Sequence, residues 1–201
     1  MNKRILKKRV ASLLLIFMML LGVMTENENV LAENKKVDFH IINLSITDSQ
    51  GNVPPDGFYY STLFKLNVGF DASKFGDTLR AGDYFEMQLP DKFTFPENAL
   101  YCNFNLYTKD GNILAKGLVS PANPGGGKVR ITFTDYVNDK HHIKGNFNLT
   151  ANWNKVSYPV TAPSEHEIVI GSFHKGIIIK PDKPSPPLDH ILNKYSGQTL
   201  T

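Results

Sequence analysis

Hydrophobic and polar residues alternate most regularly between Lys128 and Trp153. Every second residue is apolar in both halves of this stretch, and a polar segment separates the halves. The apolar positions are Val129, Ile131, Phe133, Phe147, Leu149, Ala151 and Trp153. A period of two marks a β-strand with one buried and one solvated face. The stretch therefore predicts two strands joined by a polar connection, and their buried faces require a second layer of strands.

The rest of the chain contains further apolar stretches of strand length, separated by turn signals rich in Gly, Pro and Asp. They are Val37–Thr47, Phe64–Phe70, Phe85–Leu89, Cys102–Leu106, Ile113–Val119, Ile168–Ile170 and Ile177–Ile179. Asp110–Gly111 predicts a two-residue hairpin turn. The only helical turn that we expect is a short one at Asp71–Phe75. This spacing of strands predicts an all-β, immunoglobulin-like β-sandwich over residues 33–180.

The first 32 residues have the pattern of a signal peptide. Five basic residues precede an apolar run, Val10–Val23, which is shorter than the roughly 20 residues that a membrane-spanning helix needs. Small residues before Ala32 predict cleavage between Ala32 and Glu33. An N-terminal membrane anchor is the alternative. Because residue 33, at the predicted new N-terminus, is Glu rather than Cys, we expect no lipid anchor there and predict a secreted or cell-surface protein that is not held in the membrane.

The formal net charge of +3 belongs to the predicted signal peptide. That segment contains five of the 22 basic residues and two of the 19 acidic residues, so residues 33–201 hold 17 of each. A nucleic-acid-binding domain of this kind would keep an excess of basic residues after export. The charge therefore argues against a nucleic acid as the partner.

A proline-rich segment, Pro181–Pro187, follows the predicted domain. Proline lacks a backbone N–H and favours an extended conformation, so this segment is predicted to be a linker. Leu188–Thr201 is interpreted as the beginning of a further module that this chain does not contain.

Three motifs in this order resemble a known family: AGDYFEMQLPDKF at Ala81–Phe93, GGKVRITFTDYV at Gly126–Val137, and KGNFNLTANW at Lys144–Trp153. They are similar to the N-terminal (N1-type) immunoglobulin-like subdomain of Gram-positive surface adhesins that bind collagen or fibrinogen. The resemblance covers Val37–Lys180.

The resemblance implies one of two or three tandem modules that capture a host matrix protein on, or between, adjacent modules. The partners that it implies are a matrix protein of the collagen or fibrinogen class and a neighbouring adhesin module. We find no second module, repeat region or wall-sorting motif in the sequence. The chain is therefore expected to be a truncated adhesin, a fragment or a secreted single module.

Two groups of residues were considered as metal ligands. His141 and His142 lie near Asp135 and Asp139 in a predicted loop, and a solvated connection is the alternative interpretation. The segment Glu165–Glu167 places two carboxylates on one strand face around His166, without a third histidine at a suitable spacing. We therefore predict no metal and no cofactor.

The sequence does not predict an enzyme. Cys102 is the only cysteine, so no intramolecular disulfide can form, and its neighbours Phe104 and Leu106 predict burial rather than reactivity. No Gly-x-Ser-x-Gly nucleophile motif is present. An intramolecular Lys–Asn crosslink, which the resemblance allows, cannot be assigned to particular residues.

The aromatic residues are the remaining candidates for ligand binding. Tyr101, Tyr107, Tyr136 and Tyr158 are weak candidates because tyrosine combines a large contact area with a polar group. Trp153 is predicted to close the core at the end of its strand. The leading hypothesis is an adhesion module. A spacer module without a ligand, and a carbohydrate-binding sandwich with a row of aromatic residues on one sheet face, are the alternatives.

Overall fold

The computed structural model describes residues 34–76 and 78–184, all of which belong to one unit, Asn34–Thr201. The predicted signal peptide, its cleavage site between Ala32 and Glu33, and the linker from residue 185 onward lie outside the described residues. In the described part of the chain, no helix is both long enough and apolar enough to cross a bilayer.

Strands make up about half of the described residues. The strands are β1 (His40–Asp48), β2 (Phe58–Tyr59), β3 (Leu63–Asp71), β4 (Tyr84–Leu89), β5 (Phe93–Thr94), β6 (Asn103–Tyr107), β7 (Ile113–Pro121), β8 (Gly127–Phe133), β9 (Lys144–Trp153), β10 (Ser164–Ile170) and β11 (Phe173–Lys180). One α-helical turn, α1 (Ala99–Cys102), and two 3₁₀ turns at Ser73–Phe75 and Asp135–Val137 interrupt them. The all-β class predicted from the sequence is confirmed.

Two four-stranded antiparallel sheets form the sandwich. The first sheet has the order β1-β3-β9-β5 and the second sheet has the order β4-β8-β7-β6. A third, three-stranded sheet, β10-β11-β2, contains the parallel pair of β11 and β2. The sequence pattern had suggested two sheets only. The third was missed because β2 is two residues long, and such a short segment shows no alternation.

The stretch from Lys128 to Trp153 contributes one strand to each layer. β8 is central in the second sheet and β9 is central in the first, so the connection at 134–143 crosses from one layer to the other. The inward side chains of both strands are buried, among them Ile131 and Ala151 at 0% exposure. The core therefore lies between the alternating faces that the sequence predicted.

Three local predictions were wrong in detail. The first strand begins at His40 rather than Val37, because residues 35–37 run beside β4, where the Val37 N–H donates to the Tyr84 carbonyl at 2.7 Å. Cys102 ends α1 instead of starting a strand, although its predicted burial is confirmed. The hairpin loop is longer than two residues, since Thr108 N–H bonds to the Asn112 carbonyl at 2.9 Å.

Candidate binding surface

One side of the sandwich is open, between β6 and β9. β6 ends the second sheet, and β5 pairs only with Asn152 and Trp153 of β9. Within the described residues, the remainder of β9 has a strand neighbour on one side only. Two strand edges therefore face solvent along this side, and each presents backbone groups that a partner can bind.

Two clefts lie between these strands, and together we call them the open-side groove. The first has a volume of about 160 Å³ and is lined by residues that include Leu100, Tyr101, Phe104, Asn148 and Thr150. The second has a volume of about 350 Å³ and is lined by residues that include Tyr107, Tyr136, His142, Lys144 and Asn146. The groove thus combines aromatic rings with amide and charged side chains.

Helix α1 presents apolar side chains at the first cleft. Asn98 caps the helix, since its side-chain oxygen accepts from the Leu100 N–H at 2.9 Å. The Asn103 amide donates to the Ala99 carbonyl at the other end, also at 2.9 Å. These two asparagines hold a turn too short to be stable alone. As a result, Leu100 is 82% exposed and Tyr101 is 66% exposed.

Phe104 forms part of the wall of the first cleft. Its ring lies across Gly117 of β7, where an added Cβ would meet the ring at 2.1 Å. The other side of the ring contacts Phe147 of β9, with ring centroids 5.8 Å apart. Glycine at 117 is therefore required for the ring to bridge the two sheets beneath the groove.

Three of the four candidate tyrosines line the groove. Tyr101 and Tyr107 are exposed, and the Tyr107 hydroxyl accepts a hydrogen bond from the Asn105 amide at 3.2 Å. Tyr136 lies partly buried against the core on a 3₁₀ turn. Tyr158 lies elsewhere. Ligand contact by any of them remains a prediction.

Tyr158 belongs to an aromatic corner around Trp153, which we call the Trp153 corner. Trp153 is 1% exposed and its indole N–H donates to the Tyr158 carbonyl at 2.7 Å. The Tyr158 hydroxyl donates to the Asp91 carboxylate at 2.6 Å. This bond raises the pKa of Tyr158, and burial is the second cause. The ring of Phe93 in β5 packs edge-on against the indole. The predicted core position of Trp153 is confirmed.

His166 lies against the same corner. Its ring centroid is 4.7 Å from that of Trp153, and burial, followed by the charge of Lys92, lowers the pKa of His166. Glu165 and Glu167 point to the opposite face of β10, as alternation predicted, and Glu167 pairs with His174 at 3.0 Å. His166 is therefore a packing residue of the corner.

The loop that contains His141 and His142 is a turn, as predicted. Asp139 and His142 both have positive φ, at 60° and 57°. Across residues 34–76 and 78–184, no group of three or more His, Cys, Asp or Glu side chains is placed to hold a metal ion. His142 instead lines the second cleft of the groove.

The sequence interpretation missed Leu100, Phe104 and Gly117. The sequence contains a weak signal for α1, because Asn98 is a good N-cap residue and Ala-Leu-Tyr follows it. No sequence signal places Phe104 over Gly117, since that contact depends on the register between β6 and β7.

Comparison with known proteins gives two kinds of similarity. The chain is 32% identical over 80 residues to Clumping factor B of Staphylococcus aureus, which covers 36% of this chain and 9% of that protein. Its fold is similar to those of two proteins of Streptococcus agalactiae, the serine-rich repeat adhesion glycoprotein Srr1 and the serine-rich repeat protein Srr2. The TM-scores are 0.53 and 0.51, at 18% and 19% identity. Each of these two alignments covers 72% of this chain and 46% of the streptococcal chain.

These lengths show that the chain spans a small part of Clumping factor B and about half of the two streptococcal chains. The match with the bacterial Ig domain family is broader, since it extends over residues 58–162. It runs from β2 through β9 and includes both clefts of the groove. Because this match covers more than half of the 201 residues, the chain belongs to the bacterial Ig domain family.

Proposed function

We propose that this protein is a module of an exported Gram-positive surface adhesin. It binds a host extracellular-matrix protein of the collagen or fibrinogen class, together with a neighbouring adhesin module. The observation that carries the proposal is the open-side groove, with its two strand edges and its exposed apolar helix. The motif order of the sequence and the similarity to Clumping factor B support it.

The exposed side chains at α1 suit protein recognition. Single exposed apolar residues are common on any protein surface, but Leu100 and Tyr101 are adjacent and stand beside a cleft. An extended partner segment can bond to a strand edge and insert alternate side chains into clefts. The groove offers both an edge and clefts, so it is the surface that we assign to the matrix protein.

Export is part of the proposal. Residues 1–32 direct secretion, and cleavage between Ala32 and Glu33 releases the mature protein. Amino-terminal sequencing of the protein secreted by a Gram-positive host is expected to begin at Glu33. A start within the first 25 residues, or retention in the membrane fraction, would argue for the anchor instead.

Surface plasmon resonance of the secreted chain on immobilised collagen and fibrinogen tests the binding. The chain is measured alone and, where the gene encodes a neighbouring adhesin module, fused to that module. The double variant Leu100→Ala/Tyr101→Ala is expected to weaken binding by about tenfold or more, because adjacent hot-spot side chains are removed. The matched control, Val53→Ala/Val156→Ala, removes two other exposed apolar side chains and is expected to leave binding unchanged.

The spacer alternative gives a different result in the same assay. A folded chain that binds neither matrix protein, even when fused to its neighbour, would favour the spacer. The carbohydrate-binding alternative required a row of exposed aromatic residues on one sheet face. On the strands described here, the outer face of the second sheet carries Tyr84 and Tyr107 at opposite ends and no row between them.

A further inference from the structure

The outer face of the second sheet carries an excess of positive charge. Lys128 and Arg130 point outward from β8, Lys116 points outward from β7, and Lys36 reaches the face from the segment beside β4. Glu86 is the one carboxylate among the outward residues of β4, β7 and β8. These four cations and one carboxylate carry a net charge of +3. We call this surface the basic face.

Glu86 holds three of these cations close together. Its Oε1 atom accepts from Arg130 Nη2 at 2.9 Å and from Lys128 Nζ at 3.3 Å, and its Oε2 atom lies 3.5 Å from Lys36 Nζ. The bonds from Arg130, followed by those from Lys128, lower the pKa of Glu86. One carboxylate cannot neutralise three cations, so a compact region of positive charge remains.

The cations are exposed although the carboxylate is not. The side chains of Lys36, Lys128 and Arg130 are 59%, 50% and 45% exposed, against 15% for Glu86. The Arg130 guanidinium also stacks on the Tyr84 ring at 4.1 Å. These contacts restrict the cations before any ligand arrives, which lowers the entropic cost of binding an anion.

Neutral hydrogen-bonding side chains lie on the same face as the cations, together with the 45% exposed Leu118 opposite Arg130. The outward residues that carry amide or aliphatic hydroxyl groups are Gln88, Asn103, Asn105, Ser120 and Thr132. The backbones of β7 and β8 are bonded on both sides, so only side chains can meet a ligand on this face. A ligand that fits must therefore offer anionic groups and neutral polar groups on one flat surface.

We propose that the basic face binds a linear sulfated polysaccharide. Its sulfates pair with the lysines and Arg130, and its hydroxyls bond to the surrounding amides and hydroxyls. An acidic peptide fits less well, because peptides are usually held through a strand edge, and the two central strands β7 and β8 of this face are paired on both sides. Single-stranded nucleic acid stacks its bases on aromatic rings, whereas the Tyr84 ring is already covered by Arg130.

Binding of the secreted chain to immobilised heparin tests the proposal by surface plasmon resonance. Desulfated heparin, dextran and polyglutamate serve as competing probes. We expect binding to heparin that weakens steeply with salt, because counterions are released when charges pair. We expect polyglutamate to bind at least about tenfold more weakly, since it lacks the hydroxyl groups that the face would bond.

Charge variants locate the site. Lys36→Gln/Lys128→Gln is expected to weaken heparin binding by about tenfold, because it removes two exposed cations and leaves Arg130 paired with Glu86. The matched control, Lys65→Gln/Lys175→Gln, makes the same change in net charge on other sheets and is expected to change binding by less than about twofold. Glu86→Gln removes the one carboxylate among the outward residues of β4, β7 and β8 and is expected to strengthen binding.

Three results would overturn the proposal. They are equal binding of heparin and desulfated heparin, equal weakening by the two double-lysine variants, and tighter binding of polyglutamate than of heparin. Thermal unfolding of each variant establishes that it is folded, and the double-lysine variants carry the test if Glu86→Gln does not fold. The result is independent of the matrix-protein proposal, because Leu100→Ala/Tyr101→Ala leaves the basic face intact.

Discussion

Aromatic residues lie at both ends of β9, where they are packed at one end and exposed at the other. At its last two residues β9 pairs with β5, and Trp153, Phe93 and Tyr158 are packed together with their polar atoms bonded. Along its earlier residues β9 has an open edge, and Tyr101 and Tyr107 stand exposed beside it. The two-residue strand β5 therefore separates a packed corner from the part of β9 that has an uncovered edge.

Polar partners distinguish the two regions as clearly as exposure does. The Tyr158 hydroxyl donates to a carboxylate at 2.6 Å, whereas the Tyr107 hydroxyl accepts a longer, 3.2 Å bond from a neutral amide two residues away in sequence. A charge-assisted bond between distant segments constrains the fold. A local bond between exposed groups leaves the side chain free to change partners.

Trp153→Ala is expected to have the largest effect on stability. It removes the largest buried side chain of the corner together with the indole hydrogen bond, so the free energy of unfolding should fall by about 3–5 kcal/mol. Urea denaturation followed by circular dichroism measures this loss. A loss below about 1 kcal/mol would show that the corner is not part of the cooperative core.

Gly117→Ala tests whether the wall beneath the groove is packed or adaptable. The new methyl group meets the Phe104 ring, and because overpacking costs about 1–3 kcal/mol, we expect a loss of about 2 kcal/mol. The double variant Gly117→Ala/Phe104→Ala should lose less than the sum of the single variants, since the collision disappears. Additive losses would contradict this arrangement of the ring over residue 117.

The sandwich itself was predictable from sequence because its strands are half buried. β3, β4, β8 and β9 each alternate apolar and polar residues, and each has its apolar set in the core. Trp153 was placed correctly for the same reason, since it continues the apolar face of β9. Alternation along the sequence reflects which side chains are buried. It therefore predicts those features of the fold that depend only on burial.

The groove was not predictable in the same way. Helix α1 depends on hydrogen bonds from Asn98 and Asn103 rather than on an apolar period. β5 is too short to show alternation, yet it decides which part of β9 is covered. The four candidate tyrosines look alike in sequence, because the difference between Tyr158 and Tyr107 lies in neighbours that are distant along the chain.

Lowering the pH is expected to weaken the pairing of β3 with the groove end of β9. Asp71 lies on β3 opposite Lys144 and pairs with it at 3.0 Å. Ser73, whose backbone N–H donates to the Asp71 carboxylate at 2.7 Å, and then Lys144 lower the pKa of Asp71 from 3.8 to about 2. Because the folded state holds the ionised form, its contribution is complete above pH 3.8 and is lost as the pH falls through about 2.

Unfolding measured by urea between pH 5 and pH 2 checks this effect. Over this range the free energy of unfolding of the native chain should fall by about 1 kcal/mol because Asp71 becomes protonated, after allowance for the partial exposure of its carboxylate. Asp71→Asn should be less stable at pH 5 and should lack this part of the pH dependence. If Asp71→Asn kept the same pH dependence as the native chain, other carboxylates would account for it.

The smallest expected effect compares the two tyrosine hydroxyls directly. Tyr158→Phe removes a hydrogen bond between segments 67 residues apart, and should cost about 0.5–1 kcal/mol because Asp91 recovers water in its place. Tyr107→Phe removes an exposed local bond and should change the free energy of unfolding by less than about 0.5 kcal/mol. Both changes delete one oxygen from the same residue type, so their difference measures the effect of the surroundings and of the hydrogen-bond partner. Equal losses in the two variants would mean that the exposed edge is held as firmly as the corner, and that β5 is not what separates structure from binding on this strand.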